Sequence, residues 1–255
     1  MCDPARPPRR YRPLKAWRHF RALVKDKEDT GQVFHIFEAL PWKGMYAAGS
    51  SFLESERGRA IMEREAKLPA LLDDHAALRR LPRGSVAHAY CDFMEREGLT
   101  AQGLVDEYAR FLGDRPDYSD QMSDYLNRMR DTHDLLHVLT GYGRDALGEQ
   151  CVLAFTYSQQ PTPGNLLIAY AGAWEIRRVA PGKAPVFRAV REGQRLGKAC
   201  PRVAELSVSD LLAMPLDTAR ERLNITPARH YAEAHRIWRA EGIDPYAVLK
   251  SSKAG

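Results

Sequence analysis

His133, Asp134 and His137, followed by Glu149, place two imidazoles and two carboxylates within one short segment. These are the donor types that hold a divalent cation. On an α-helix, residues i, i+1 and i+4 lie at about 0°, 100° and 40° around the axis, so His133, Asp134 and His137 can turn toward one arc. A mixed nitrogen and oxygen set suits zinc and also accommodates iron or manganese, and two ionised carboxylates would balance the charge of the ion. Fewer than four tight protein ligands would leave a position for water or substrate. The plainer reading is a pair of surface or internally satisfied histidines. Against it, His133 and His137 continue the apolar stripe of Met122, Tyr125, Leu126 and Met129, where core residues belong. A carboxylate buried without a partner is costly, so such a cluster calls for a cation.

Two helices joined by a tight turn must present these residues. Gly141-Tyr142-Gly143-Arg144 breaks the first helix, and the second is expected from about Asp145 through Glu149, Cys151, Val152, Leu153 and Phe155 to a stop at Pro161. A connection this short makes an antiparallel hairpin, and it brings His137, one turn before the break, level with Glu149, one turn after it. Helical periodicity runs through most of the remaining chain, over Val33–Leu40, Gly58–Leu72 with Pro69 near its end, and Leu104–Leu112. Ser85 is placed to cap a helix through Val86, Tyr90, Phe93 and Met94. Gly113–Tyr118 and Pro161–Asn165 read as loops, and further helices are expected over Leu166–Arg178, Ala189–Ala199, Ser209–Met214, Leu216–Leu223 and Tyr231–Glu241. Strand-like alternation is scarce and no internal repeat is present. The expected fold class is therefore all-α, with one helical domain over 14–230, a basic Pro/Arg-rich leader at 1–13 and a helical tail at 231–255.

Composition excludes several classes. At 255 residues the chain can bury a sizeable core. Cys2, Cys91, Cys151 and Cys200 are dispersed with no CxxC pair, which fits a reducing compartment and excludes a zinc ribbon. The most apolar run, Leu166–Trp174, is about half of what a bilayer requires. Charge is concentrated at one end: residues 1–27 hold nine Lys or Arg against Asp3 and Asp26, while the whole chain carries +5. Within that segment Trp17, Phe20, Leu23 and Val24 recur at helical spacing, so Leu14–Lys25 reads either as a basic amphipathic helix for an anionic membrane surface or as an ordinary first helix packed on the core. The arginines are followed by no uninterrupted apolar region of the secretory kind. No nucleic-acid motif accompanies the basic residues, so nucleic acid is not an expected partner.

The motif and its surroundings resemble the coenzyme Q biosynthesis protein 4 family. His133-Asp134-x-x-His137 with Glu149 is similar to the family's central motif, Leu81-Pro82-Arg83-Gly84-Ser85 leading into Ala89-Tyr90-Cys91-Asp92-Phe93 to its turn-and-helix segment, Gly58-Arg59 to a further stretch, and Leu223-Asn224-Ile225-Thr226-Pro227 to its C-terminal element. The likeness covers roughly residues 10–230. It implies a mostly helical, frequently dimeric protein with a zinc or similar ion held by His133, Asp134, His137 and Glu149, and an apolar cavity for a polyprenyl chain. It also implies a role in ubiquinone synthesis, through oxidative removal of the C1 carboxyl of a prenylated 4-hydroxybenzoate, a carbon–carbon lyase activity in which the same four residues are catalytic. Asp134 is alternatively an orienting or proton-transfer group. The leader lacks a long mitochondrial presequence and the tail after His230 is extra, so a bacterial member is expected, peripheral on the inner face of the cytoplasmic membrane. Other ubiquinone-biosynthesis enzymes are expected partners.

Two rival functions use the same residues differently. A non-catalytic lipid-binding scaffold would gather the pathway enzymes and keep the ion as a structural clip. A phosphohydrolase of the His-Asp doublet type would recruit His88 upstream and Asp145 or a later acid downstream, and would leave Glu149 without a role.

Overall fold

A computed structural model describes residues 10–26, 29–113, 118 and 120–249. The first nine residues of the basic leader, Lys27, most of the expected 113–118 loop and the last residues of the tail lie outside that range. Among the described residues all regular structure is helical, apart from a single bridge between Ser85 and Pro215. In chain order the helices are α1 (Pro13–Lys25), α2 (Thr30–Ala39), α3 (Met45–Glu54), α4 (Glu56–Arg64), α5 (Leu68–Asp73), α6 (His75–Leu78), α7 (Val86–Glu97), α8 (Ala101–Leu112), α9 (Gln121–Asp131), α10 (His133–Thr140), α11 (Ala146–Gln159), α12 (Pro163–Val179), α13 (Val186–Ala199), α14 (Val208–Ala213), α15 (Leu216–Arg222) and α16 (Arg229–Ala240). Contacts divide the chain into two compact units, residues 1–135 with 202–219 and residues 136–201 with 220–255, so the division falls inside α10.

In the first unit α1 packs on α2, and its apolar residues serve two sides. Ala16 and Phe20 are buried, whereas Leu14 and Trp17 are 85% and 51% exposed. Met45, Phe52, Ile61, Met122 and Tyr125 form a core cluster from α3, α4 and α9. Beside it Arg128 is buried on α9, donating to Glu65 Oε2 at 2.7 Å and to the carbonyls of Ala204 and Leu206, both at 2.7 Å. Glu65 also accepts from the backbone N–H groups of Val208 and Ser209, so one carboxylate both neutralises Arg128 and supports the start of α14.

In the second unit α11 packs against α12 and α13, and α13 against α16. Small residues set the spacing. A Cβ on Gly193 or Gly197 of α13 would stand 2.5 Å from the Cys151 carbonyl oxygen or 2.2 Å from that of Phe155, so α13 lies directly on the α11 backbone.

Several expected boundaries are corrected. Gly58–Leu72 is two helices, because Pro69 occupies the opening turn of α5 instead of ending the preceding one, a position where proline's missing N–H costs nothing. Pro163 likewise begins α12 within the expected loop. The apolar stripe does not run unbroken into the histidines. At Thr132 the helix is interrupted, with Oγ1 donating to the Arg128 and Met129 carbonyls, a local bond that competes with the helical ladder. The helix at Met45–Glu54, rich in small residues, has no counterpart in the expectations.

Candidate metal centre

A short turn joins α10 to α11. α10 buries Leu135, Leu136, Val138 and Leu139 around His137. It stops at Gly141, whose φ of +77° is a left-handed value that glycine adopts without strain. Asp145 then caps α11, its Oδ1 accepting from the N–H groups of Leu147 at 3.1 Å and Gly148 at 3.2 Å, which places Glu149 in the first turn.

The structure brings three of the four expected ligands together. Donor atoms of His133, His137 and Glu149 all lie within 4.8 Å of one another, His133 and His137 being one turn apart on the continuous helix α10. His137 is buried, while His133 and Glu149 are half-buried. Glu149 is gripped from two sides, with Oε2 3.5 Å from His137 Nε2 and Oε1 3.4 Å from Arg144 Nε. Asp134 is not in this group. One residue on from His133 its side chain is turned about 100° away, and its charge bears instead on Tyr90, whose hydroxyl is pushed up first by burial and then by Asp134.

The donor set fits a cation on a specific observation. His137 Nδ1 faces the Tyr142 carbonyl oxygen at 3.0 Å; a carbonyl only accepts, so Nδ1 carries the proton. The other nitrogen of a neutral ring, Nε2, then turns its lone pair toward the Glu149 carboxylate. Together that lone pair and the carboxylate form a donor pair that can hold a positive charge, either a second proton or a metal ion. A zinc ligand is held in just such a tautomer by its outer hydrogen bond.

Residues outside the expected set complete the surroundings. Tyr231 donates its hydroxyl to Asp145 Oδ2 and accepts from the Gly143 N–H at 3.0 Å, and His235 Nε2 lies 3.0 Å from Asp145 Oδ1. The sequence gives no local sign of this, because both residues come from α16, far along the chain. The phosphohydrolase alternative finds no support in these groups. His88 Nε2 is directed at the carbonyls of Arg79 and Leu81 at 3.2 and 2.9 Å, and Asp145 is committed to its cap and to α16.

A second cluster, His75, Cys91 and Glu95, also has donor atoms within 4.8 Å. Glu95 there is already bound to Arg79 at 2.8 Å, which also reaches Asp92 at 2.6 Å, so fixed charge within the chain accounts for that group.

Residues 21–229 match the family described as Coenzyme Q (ubiquinone) biosynthesis protein Coq4. Among curated relatives, ubiquinone biosynthesis protein COQ4 homolog 2, mitochondrial, of Culex quinquefasciatus is 31% identical over 100 residues, which is 39% of this chain and 42% of that one. The mitochondrial COQ4 homolog of Rattus norvegicus is 26% identical over 175 residues, 67% of this chain and 61% of that one. The matched segments thus span less than two thirds of these relatives. A crystal structure from Nostoc punctiforme, provisionally described as a ubiquinone biosynthesis protein, superposes with a TM-score of 0.59 at 20% identity over 85% of this chain and all of that one. It establishes likeness of fold.

Proposed function

This chain belongs to the Coenzyme Q (ubiquinone) biosynthesis protein Coq4 family, and we propose that it acts in ubiquinone biosynthesis as a metal-dependent oxidative decarboxylase of a prenylated 4-hydroxybenzoate. The observation that carries this reading is the convergence of His133, His137 and Glu149, with the His137 ring oriented by the Tyr142 carbonyl. These three residues would hold the ion, zinc by donor chemistry with iron or manganese as alternatives, and Asp134 would act nearby as an orienting or proton-transfer group. When bound, a divalent cation supplies Lewis-acid polarisation of a substrate carboxylate or phenolate. The chain's own contribution is orientation: His137 is fixed by its outer hydrogen bond, and Arg144 offers a cationic group beside Glu149 for an anionic substrate head. An apolar space between helices would take the polyprenyl tail. The reaction so proposed replaces the C1 carboxyl by a hydroxyl with loss of carbon dioxide, water supplying the hydroxyl oxygen and dioxygen accepting the two electrons to leave as hydrogen peroxide, since zinc itself has no redox chemistry.

The substrate's lipid tail calls for work at a membrane surface. No helix of the described residues is long and apolar enough to cross a membrane. α1 supplies a peripheral contact, because Leu14 and Trp17 are exposed among Lys15, Arg18, Arg21 and Lys25, an arrangement suited to anionic headgroups. A homodimer and contacts with other enzymes of the pathway belong to the same proposal.

A scaffold would make the same contacts without turnover, and the two readings separate in cells. With soluble Glu149→Ala or His133→Ala protein replacing the native chain, mass spectrometry of quinone intermediates is expected to find a species still carrying its C1 carboxyl. Normal ubiquinone in those cells would rule out metal-dependent decarboxylation and leave the scaffold.

A further inference from the structure

We propose that Tyr231 and His235 on α16 are positioning residues for the metal ligands, holding His137 and Glu149 in register through the turn that joins α10 to α11. The inference rests on reading His137 and Glu149 as ligands, and it assigns a role to a helix most of which lies beyond residue 229, where the family match ends.

Both ligands are indexed to this one turn. His137 donates from Nδ1 to the Tyr142 carbonyl, so the direction of its Nε2 follows the placement of Tyr142. Glu149 closes the first helical bond of α11, its N–H donating to the Asp145 carbonyl at 3.0 Å, so its placement follows Asp145. A shift of either turn residue therefore moves one donor atom relative to the other.

α16 grips the turn at each of these points. The Tyr231 hydroxyl accepts from the Gly143 N–H and donates to Asp145, and its ring packs edge-on against that of Tyr142, with centroids 5.3 Å apart. His235 supplies a further donor to Asp145. With the N–H groups of Leu147 and Gly148, the Asp145 carboxylate has partners on both oxygens and no exposure of its side chain. It cannot rotate without breaking several bonds in a dry site. Gly143 is required for the approach, because a Cβ there would stand 2.9 Å from the Tyr231 hydroxyl and 2.8 Å from that of Tyr246. Direct hydrogen-bond partners of metal ligands commonly change metal affinity by about 10- to 100-fold when removed; Tyr231 and His235 act one bond further out, through Asp145 and Gly143, so the lower end of that range applies.

The test uses the full-length protein with zinc titrated against a chromophoric chelator, and the absorption spectrum of cobalt(II) as a report on ligand geometry. Tyr231→Phe and His235→Leu are expected to weaken zinc binding by about tenfold or more and to change the cobalt spectrum, whereas His235→Gln, whose amide can donate from nearly the same place, recovers both. Ala234→Gly loosens α16 without touching the network and serves as the control: at an equal fall in Tm it should keep native affinity and spectrum. Should His235→Leu fail to fold, the more conservative Tyr231→Phe decides alone. Native zinc affinity and cobalt spectrum in the foldable variants would overturn the positioning role while leaving the metal site standing, and so would an equal loss in Ala234→Gly. A wild-type chain that takes up neither ion would overturn the site reading and this inference with it.

Discussion

Replacing Gly197 by alanine tests whether the spacing of α11 and α13 is set by backbone contact. The new Cβ would stand 2.2 Å from the Phe155 carbonyl oxygen and 2.9 Å from its carbonyl carbon. Ordinary contact needs about 1 Å more, and the obstacle is main chain within a buried helix, which has no rotamer to change. Overpacking of this kind costs about 1–3 kcal/mol, and the upper end applies because α13 must lift away along a face that includes Val190, Gly193 and Leu196. Alanine recovers up to about 1 kcal/mol through its better helix propensity. The net loss is about 2 kcal/mol, which for a chain of this size lowers Tm by roughly 4–8 °C. Gly172→Ala is the internal comparison. Its Cβ would meet the Gln150 side-chain oxygen at 2.4 Å, an end that can swing aside, so its loss should be clearly smaller. Thermal unfolding followed by circular dichroism measures both. A Gly197→Ala protein as stable as wild type, or a Gly172→Ala protein that loses as much, would refute the distinction between a fixed and a movable obstacle.

Removing one member of the Glu65–Arg128 pair, by Glu65→Gln or Arg128→Met, should cost about 3–5 kcal/mol in denaturant unfolding, because the other is left buried without its counter-charge. Burial works to raise the pKa of Glu65, but the Ser209 N–H and Arg128 together outweigh it and hold the carboxyl below its ordinary 4.5. Its stabilisation is therefore fully present above pH 4.5 and is lost as pH falls through the lower folded value, so wild type and Glu65→Gln should converge in acid; a constant gap down to pH 2 would contradict this. For the membrane contact, the double change Leu14→Ser with Trp17→Ser should weaken cosedimentation with anionic vesicles at least tenfold, about 1.4 kcal/mol, and added salt should weaken the native protein as well. Binding indifferent to both would remove α1 from the interface.

The parts of the fold visible in the sequence were those written locally. Ser85, Asp145 and the glycine at 141 mark helix ends within a few residues of their own position, and the observed caps fall there. The short turn between the helices carrying His137 and Glu149 follows from the same local rules. What escaped is of two kinds. Some depends on competition over short range that periodicity ignores: Thr132 turning its hydroxyl back to Arg128, or Pro69 opening a helix where it might equally close one. The rest depends on distant chain. Arg128 is buried because Glu65 and the 204–206 carbonyls are there to receive it, and Tyr231 and His235 acquire meaning only once α16 is seen against the turn. Asp134 illustrates the limit of motif reading, since adjacency to His133 along the chain is a quarter-turn apart in space.

The bonds from α16 to the turn span 86 to 90 residues, which gives the hairpin a history as well as a shape. At about 5–20 residues per second of synthesis, roughly 5–20 s pass between the emergence of Asp145 and that of its partners. During that interval the proposed ligands His137 and Glu149 flank a turn that α16 does not yet hold. If the proposed site holds an ion, one arriving then would meet donors of the right kind in no fixed arrangement, and α16 would complete the binding geometry only after it emerges.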